Sequence, residues 1–509
     1  MSERTLAELA LLPVTLSHHL LLSLSALSSG ILICFPLAVL ISRVKALQWP
    51  ALTVASIVQT IPGLALLALM VPLLGQIGFL PAFFALVLYS MLPILHNTLT
   101  GILGVDPAVI EAARGIGMTT FQRLSRVELP LAAPVIIAGI RTSTVWVVGT
   151  ATLATPVGAT SLGNHIFSGL QTQNPAAVIV GCLAAAALAV TLDQLIRLLE
   201  NAARRRSRRA GLAAVTGLLV VLIGGLAPLL SNVRGNGPLT PVVVGAKTFT
   251  EQYVLAEFLT LRLRQAGLPA LSKMSMGSTI LFEALASGQV DCYIDYSGTI
   301  WANIMKRSDV PPRAVLLDEM THWLQANHHV KLLGSLGFEN TYALAISEET
   351  SAKQKISSLL ELSSRAPALR IGSDYEFFGR PEWLALKARY GLRFAEERTF
   401  DPSLMYEAIR TKSVDVISAY STDGRIVDYK LVVLADPLGA LPPYDAVLLL
   451  SPDAGKRPEL VAALAPVMGA ISDRTMREAN KMVDMERHSV TEAALFLQEA
   501  TKTGKAQTQ

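Results

Sequence analysis

The chain has 509 residues, a formal net charge of +4 at pH 7 and 51% hydrophobic residues, while only 16% of its residues are charged. Charged residues make up about a quarter of a typical soluble domain, so this composition excludes an ordinary water-soluble protein. With three cysteines and no metal-ligand spacing, the sequence predicts neither a disulfide framework nor a metal site.

The first half of the chain is dominated by long hydrophobic segments. No Asp, Glu, Lys or Arg occurs in residues 46–105, and a charge at mid-bilayer costs about 2.5–3.5 kcal/mol on insertion scales. Six segments each reach the roughly 20 residues needed to cross the hydrocarbon core. They lie at about 20–42, 51–74, 80–101, 133–157, 175–198 and 210–231. The pattern predicts an all-α polytopic domain of about six transmembrane helices in the lipid bilayer.

Basic residues indicate the orientation of this domain. They cluster after the first span, before the fourth and after the fifth, at Arg43, Lys45, Arg114, Arg123, Arg126 and Arg204–Arg209. The positive-inside rule places these loops in the cytoplasm and everything after Thr240 outside it. The arginine run beside a span indicates a topology determinant, so no nucleic-acid partner is expected. Arg141, near the start of the fourth span, is expected to reach the interface or to face the bundle interior.

The loop before the fourth span has the pattern E-A-A-x3-G-x9-V-x-L-P. Its defining residues are Glu111, Ala112, Ala113, Gly117, Leu129 and Pro130. We expect Glu111 to Arg114 to start a short amphipathic helix, Gly117 to allow a close turn, and Pro130 to end the return path before the next span. A charged helix–turn–helix on the cytoplasmic face suits docking of a partner.

This loop resembles the EAA loop of bacterial ABC-importer permeases, with Val127 in place of the usual Ile. The resemblance covers most of residues 15–200 and implies a type I importer permease. It also implies that the loop contacts ABC ATPase subunits and that two copies of this chain form a homodimer in the membrane. ATP would be used by the ATPase partner, and no cofactor is expected in this chain.

After Thr240 the chain changes to an alternation of strands and helices. The strand-like runs are 242–245, 290–294, 342–346, 369–372, 414–417, 431–434 and 446–450. This α/β pattern predicts parallel sheets, and the length is sufficient for two lobes. Ligands in such folds bind beyond the carboxyl ends of strands. Residues 232–240 are predicted to be a short tether to the membrane domain.

Several tyrosines of the second half lie at strand–loop junctions. Tyr296 and Tyr420 follow strand-like runs, Tyr342 opens one, and Tyr444 precedes another. Any single tyrosine is more often a core or interface residue. Four of them at such junctions predict a cleft lined by aromatic rings.

The local sequences around these junctions resemble the substrate-binding proteins of glycine betaine/carnitine/choline ABC importers. The similar strings are 245–252, 277–279, 295–299, 337–342, 419–425 and 442–446. The resemblance implies a two-lobed, extracytoplasmic binding domain of the periplasmic-binding-protein type (type II), fused to an inner-membrane permease. The implied boundaries are a permease domain at 1–209, a sixth helix and tether at 210–240, and a binding domain at 241–509, with lobe I at 241–341 and 445–509 and lobe II at 342–444.

In that family a box of aromatic rings surrounds a quaternary ammonium group. Carried over by the resemblance, the box would consist of Tyr296, Tyr342, Tyr420 and Tyr444. A carboxylate would be held by Thr299, Arg380 and Lys247. A trimethylammonium group has no N–H to donate, so π-faces must recognise it. A surface ion pair of Arg380 with Asp374 or Glu376 is the competing interpretation.

Three functions remain open from the sequence. The first is the permease and binding subunit of an ATP-driven importer for glycine betaine, choline or carnitine, which are small cationic or zwitterionic ligands. The second keeps this architecture but takes ergothioneine, a trimethylated betaine with a thioimidazole ring. The third is a ligand-gated receptor or channel, in which the EAA loop would have no role. An enzymatic role is not expected, because no nucleophile–base spacing is present.

Overall fold

The computed structural model describes residues 3–172, 174–233, 241–307, 309, 311–374 and 377–503. The chain divides into two compact units, the first comprising residues 1–167 and 176–238 and the second residues 168–175 and 239–509. Residues 234–240, most of the predicted tether, lie outside the described residues.

The first unit, in its described residues, is helical. Its α-helices are α1 (Glu3–Arg43), α2 (Lys45–Thr60), α3 (Gly63–Leu74), α4 (Phe79–Leu103), α5 (Pro107–Gly115), α6 (Thr120–Arg123), α7 (Leu129–Ala151), α8 (Gly163–Gln171), α9 (Pro175–Arg205) and α10 (Arg208–Val233). A π-helical segment, Leu124–Glu128, joins α6 to α7, and a 3-10 segment, Thr152–Val157, follows α7. Five helices are long and apolar enough to span a membrane, or six if one bent pair counts as a span. The prediction of about six membrane helices is confirmed.

The bent pair is the predicted span at 51–74. The structure divides it into α2 and α3, which meet at 100°. Proline lacks an N–H and pushes the residue before it out of the helical region. Ile61, which precedes Pro62, is accordingly extended, with φ −69° and ψ 128°. An apolar run alone could not reveal this break.

Small residues let the membrane helices approach one another closely. A Cβ added to Gly30 of α1 would lie 1.9 Å from Ser90 Oγ of α4. A Cβ on Gly139 of α7 would lie 2.5 Å from the Cβ of Asn97, also on α4. Such contacts are typical of membrane bundles, in which packing rather than water exclusion drives association.

Arg141 of α7 faces two acidic residues of α9. Its Nε lies 3.6 Å from Asp193 Oδ1, and its Nη1 lies 3.1 Å from Glu200 Oε2. Of the two expected placements, the structure therefore shows the guanidinium turned toward another helix of the bundle. Charges in a membrane segment are normally compensated in this way.

The second unit is α/β. Its strands are β1 (Val242–Gly245), β2 (Ala270–Lys273), β3 (Cys292–Tyr296), β4 (Lys331–Glu339), β5 (Tyr342–Ser347), β6 (Arg370–Ser373), β7 (Glu396–Thr399), β8 (Val416–Tyr420), β9 (Leu431–Val433) and β10 (Asp445–Leu450). Its α-helices are α11 (Thr250–Gln265), α12 (Ser278–Ala286), α13 (Ser297–Thr299), α14 (Arg313–His328), α15 (Glu348–Gln354), α16 (Leu359–Arg365), α17 (Pro381–Tyr390), α18 (Pro402–Arg410), α19 (Arg425–Asp428), α20 (Pro458–Leu464), α21 (Asp473–Asp484) and α22 (Val490–Thr503).

The strands form two five-stranded sheets. The first has the order β2-β1-β3-β10-β4 and the second β7-β6-β8-β5-β9. We call the part built on the first sheet lobe I and the part built on the second lobe II. The prediction of parallel sheets is wrong for both, because β10 runs antiparallel to β3 and β4, and β5 runs antiparallel to β8 and β9. Each sheet is therefore mixed.

The chain passes between the lobes at two places. The first crossing lies between β4 and β5, at Asn340 and Thr341, and the second lies between β9 and β10. Tyr342 and Tyr444, two of the predicted site residues, stand at the ends of these crossings. The topology therefore brings residues from distant parts of the sequence to the boundary between the lobes.

Candidate functional site

The four predicted tyrosines lie in one continuous row of aromatic rings. Along the row, ring centroids are 5.6 Å apart for Tyr444 and Tyr342, and 4.8 Å apart for Tyr342 and Tyr420. Phe249 then stacks on Tyr420 at 5.6 Å and lies 6.1 Å from Tyr296. The sequence did not single out Phe249, although it links the two halves of the row. The rings touch one another, so this arrangement is a packed row and not an open box.

Strand ends and short turns position the rings. Tyr296 and Tyr420 are the last residues of β3 and β8, and Tyr342 is the first residue of β5. Gly298, in α13, lies directly against Tyr444, since a Cβ at this position would come within 2.6 Å of the ring. The absence of a side chain there lets the Tyr444 ring lie against the backbone.

Arg380 is buried beside the row and is only 8% exposed, so any ion pair that it forms within the chain is buried and not at the surface. Its Cζ lies 5.3 Å from the centroid of the Tyr342 ring. Its Nη1 lies 3.9 Å from Glu382 Oε1. Glu376, a partner considered for Arg380, lies outside the described residues. The guanidinium is thus placed at the aromatic row.

Thr299 and Lys247 are also buried near this region. Thr299 ends α13, directly after the strand that carries Tyr296. The Lys247 ammonium forms an ion pair with Asp295 and lies 5.7 Å from the centroid of the Tyr296 ring. A carboxylate partner within the chain therefore already balances the charge of Lys247. Its role as a carboxylate-binding residue stays a prediction.

Glu251, in the first turn of α11, accepts hydrogen bonds from both lobes. Tyr296 Oη (2.5 Å) and Asn340 Nδ2 (2.9 Å) donate to its Oε1, while Asn480 Nδ2 (2.8 Å) and the Thr422 hydroxyl donate to its Oε2. Burial raises the pKa of Glu251, and the four hydrogen bonds oppose this shift. Apart from its place in one of the similar strings, 245–252, Glu251 has no local pattern that marks it as a site residue.

A cleft lies between the lobes beside this network. It contains about 380 Å³ of space, including its open mouth. It is lined from lobe I by Phe249, Thr250, Glu251, Asn340, Asn480 and Asp484, and from lobe II by Met405, Tyr420, Thr422, Asp423 and Arg425. The lining therefore combines two rings of the row, Phe249 and Tyr420, with polar and charged side chains, and we call the part around Asp423, Arg425 and Asp484 the polar end.

The polar end is organised around Arg425. Its guanidinium lies 4.1 Å from the centroid of the Tyr406 ring and forms two hydrogen bonds to Asp423, at 3.0 and 2.7 Å. Asp484 accepts a hydrogen bond from Thr250 Oγ1 at 2.6 Å. Burial raises the pKa of Asp484 to about 7, while the nearby Arg425 opposes the shift. A ligand reaching this end would meet hydroxyl, carboxyl and guanidinium groups.

The EAA loop forms a short helix and a turn, as predicted, but its helix begins earlier. Helix α5 starts at Pro107, because the Asp106 side chain accepts a bond from Ala108 N at 2.8 Å and caps the helix there. Gly117 has φ +81°, a conformation that favours glycine. Glu111 and Ala112 are exposed, and Ala113 is buried.

The return path of the loop differs from the prediction at its end. Leu129 and Pro130 do not terminate it, because the π-helical segment continues directly into α7. Pro130, which has no backbone N–H to donate, stands directly after this π-helical segment. Ile116 and Phe121 beside the turn are 75% and 76% exposed. The loop thus presents an exposed apolar and charged surface, which suits docking of a partner.

A buried ion-pair cluster supports the return path of the loop. Glu128 is 1% exposed and bonds to Arg43, the last residue of α1. It also accepts a hydrogen bond from Arg123 Nε at 2.8 Å. The cluster therefore ties the end of the EAA loop to the first membrane helix.

These features define the class of the protein. A helical membrane unit with a docking loop and a two-lobed unit with an interlobe cleft are the parts of a membrane transport subunit that carries its own binding domain. Residues 240–497 match the family described as the substrate binding domain of ABC-type glycine betaine transport systems. Residues 30–205 match the inner membrane component of binding-protein-dependent transport systems. The chain belongs to this family of fused permease and substrate-binding proteins.

Two curated relatives illustrate the match. The chain is similar to the ergothioneine transport permease/ergothioneine binding protein EgtU of Helicobacter pylori, with 32% identity over 466 residues. The matched region covers 88% of this chain and 82% of EgtU. It is 46% identical over 184 residues to the choline transport system permease protein OpuBB of Bacillus subtilis, covering 36% of this chain and 84% of that protein. A solved glycine betaine/carnitine/choline ABC transporter structure is 26% identical, with a TM-score of 0.44, covering 52% of this chain and 98% of that one.

The family places the protein among multi-pass inner-membrane proteins with an extracytoplasmic binding domain. Its relatives are transport permeases and binding proteins, which agrees with a transport subunit and not an enzyme. No group of three or more potential metal ligands occurs among the described residues.

Proposed function

We propose that this chain is the combined permease and binding subunit of an ATP-driven importer for quaternary ammonium compounds of the betaine type. The observation that carries the proposal is the row of five contacting aromatic rings at the lobe boundary, with Arg380 beside it. Ring faces attract a cation that cannot donate hydrogen bonds. A guanidinium offers a planar fork to a carboxylate.

The magnitudes support a site that uses both parts. Each ring in contact with a cation contributes about 0.5–2 kcal/mol. Micromolar affinity requires roughly 8 kcal/mol after the entropic cost of association. Several rings and an ionic contact are therefore needed together. The aromatic row and the Arg380 guanidinium lie beside each other in one buried region, which supports this combination.

Transport would depend on separate partners. ATPase subunits would dock on the EAA loop around Glu111, Ile116 and Phe121, whose side chains are exposed. Two copies of this chain would form the pathway in the membrane. The ion pairs of Glu128 would transmit motion from the docked loop to α1.

Ergothioneine is a second candidate ligand. EgtU, the relative whose match covers 88% of this chain, is named for the transport of ergothioneine. The polar end of the cleft also supports this ligand, because Asp484 and Thr250 could bond to the ring nitrogens of a thioimidazole.

Isothermal titration of the full-length chain in lipid nanodiscs tests the proposal. Glycine betaine, choline, carnitine and ergothioneine are titrated in parallel, with arginine as a control cation that has N–H donors. We expect at least one trimethylammonium compound to bind with micromolar or tighter affinity. Absence of heat from all four would overturn the proposed function. Tight binding of ergothioneine alone would select the second candidate.

A further inference from the structure

Three tyrosines of the row donate their hydroxyls to buried carboxylates, and the bond of Tyr420 to Asp374 Oδ2 is the longest of the three at 3.5 Å. Tyr296 Oη donates to Glu251 Oε1 at 2.5 Å, and the Tyr444 hydroxyl donates to Glu382 Oε1. Glu251 is 3% exposed and Glu382 is 2% exposed. Water therefore contributes little screening to either pair.

The two carboxylates differ in how their charge is balanced. All four hydrogen-bond donors to Glu251 are uncharged side chains, so their bonds stabilise its charge without cancelling it. Glu382 instead has the Arg380 guanidinium 3.9 Å away. Of these two carboxylates, Glu251 is therefore expected to contribute the larger unbalanced negative field at the row.

The four hydrogen bonds to Glu251 stabilise its ionised form and oppose the effect of burial on its pKa. Each oxygen already accepts two hydrogen bonds, and the amide groups of Asn340 and Asn480 provide one donor to each oxygen. A carboxylic acid would turn one of these four accepting positions into a donor, so a neighbouring hydroxyl would have to reverse its hydrogen bond. A phenol that donates to a carboxylate carries more negative charge on its ring, and the ring face then attracts a cation more strongly.

We propose that Glu251 tunes the ligand specificity of the aromatic row through the Tyr296 hydroxyl, favouring ligands with net positive charge over zwitterions. Glu382 acts in the same way through Tyr444, with a smaller effect because Arg380 balances it. Glu251 is thus a positioning and tuning residue that need not touch the ligand. This inference rests on the proposed function, since it assumes that a quaternary ammonium group binds at the row.

The test uses the full-length chain in nanodiscs and every ligand that the wild type binds, together with the methyl ester of each zwitterionic ligand. The variants are Glu251→Gln, Tyr296→Phe and their combination. Tyr390→Phe is the matched control, because Tyr390 also donates its hydroxyl to a carboxylate, that of Asp436, but has no ring contact with the row. Melting temperatures are recorded for all variants.

We expect Glu251→Gln and Tyr296→Phe each to weaken binding by about tenfold. The double variant should lose no more than the larger single loss, because both changes remove one interaction. In both variants, ligands with net positive charge should lose more affinity than zwitterions. The reason is that the charge of Glu251 attracts the ammonium group of either ligand but also repels the carboxylate of a zwitterion. A purely structural role would weaken both kinds of ligand equally. Tyr390→Phe should bind as the wild type does.

Other results would overturn the inference. If the wild type binds none of the ligands, the proposed function fails and this inference fails with it. If the wild type binds but Glu251→Gln leaves affinity unchanged, or the two single losses add fully, only the inference fails. Should Glu251→Gln not fold, Tyr296→Phe decides, because it keeps the ring and removes the hydroxyl: a tenfold loss supports the inference and unchanged affinity overturns it.

Discussion

The two units bury carboxylates in opposite ways. In the membrane unit Glu128 lies between Arg43 and Arg123, and in the binding unit Glu251 lies among four neutral donors. Both side chains are nearly inaccessible to water, at 1% and 3% exposure. Ion pairing cancels the charge of Glu128, whereas hydrogen bonding leaves the charge of Glu251 acting on its surroundings.

The difference shows what each carboxylate can do. A balanced buried pair holds helices together, and removing one partner leaves an uncompensated charge. A carboxylate held by neutral donors is costly to keep, but its field acts on any cation that enters nearby. The first arrangement suits a mechanical connection, and the second suits recognition of a cation.

The largest effect is expected from removing a ring in the middle of the row. Tyr420→Ala removes the ring that contacts both Phe249 and Tyr342. We expect at least a roughly 100-fold loss of ligand affinity in titrations, since the direct ring contact and the order of its neighbours are lost together. Tyr429→Ala, in the same lobe but without a ring contact to the row, should bind normally. Unchanged affinity in Tyr420→Ala would remove that ring from the site.

Glu128→Gln is expected to have the next largest effect, on coupling and not on ligand binding. Breaking a buried pair costs about 3–5 kcal/mol, and the lower end applies because the Arg43 side chain is 34% exposed. Uptake into proteoliposomes should fall more than tenfold, with a lower melting temperature and unchanged ligand affinity. Arg126→Gln, an exposed change in the same segment, serves as the control. Normal uptake in Glu128→Gln would show that the ion pairs do not brace the loop.

Changes on the exposed side of the EAA loop should uncouple transport with only a small loss of stability. Glu111→Lys reverses an exposed charge, and Gly117→Ala strains a residue with φ +81° by about 1 kcal/mol. We expect reduced uptake per ATP hydrolysed by the added ATPase partner, with ligand affinity unchanged. Full uptake in both variants would contradict docking at this loop.

The smallest effect concerns pH. Burial raises the pKa of Asp484 to about 7, so the folded state keeps a proton that the unfolded chain releases near pH 4. The free energy of unfolding should therefore fall as pH rises from about 4 to 7. The raised pKa of Glu251 acts in the same direction. Thermal melts of the wild type and Asp484→Asn should show a flatter pH dependence for the variant, and identical slopes would contradict this assignment.

The sequence predicted the elements whose residues are apolar and buried. Seven of the ten strands in the described residues were predicted from their apolar runs. The resemblance in the neighbouring loops placed four tyrosines that the structure brings into one row. The strands that the sequence missed, β2, β4 and β7, all lie at sheet edges. An edge strand has one neighbour and accepts polar residues, as in the exposed run Glu396–Thr399.

Other features required the three-dimensional arrangement. Phe249 and Glu251 precede or begin a helix and have no local pattern that marks a site, yet they complete the row and anchor its hydroxyl network. Strand direction was also invisible, because the periodicity of a buried strand is the same in parallel and antiparallel pairs. The break between α2 and α3 depends on one proline within an apolar run.

A structure of the full-length chain with its bound trimethylammonium ligand tests the account most directly. We predict that the ammonium nitrogen lies within about 6 Å of the ring centroids of at least two of Tyr296, Tyr342, Tyr420 and Tyr444. The ligand carboxylate, where present, should contact Arg380. An ammonium group held instead at the Asp423 and Arg425 end of the cleft, with the aromatic row uncontacted, would contradict the account.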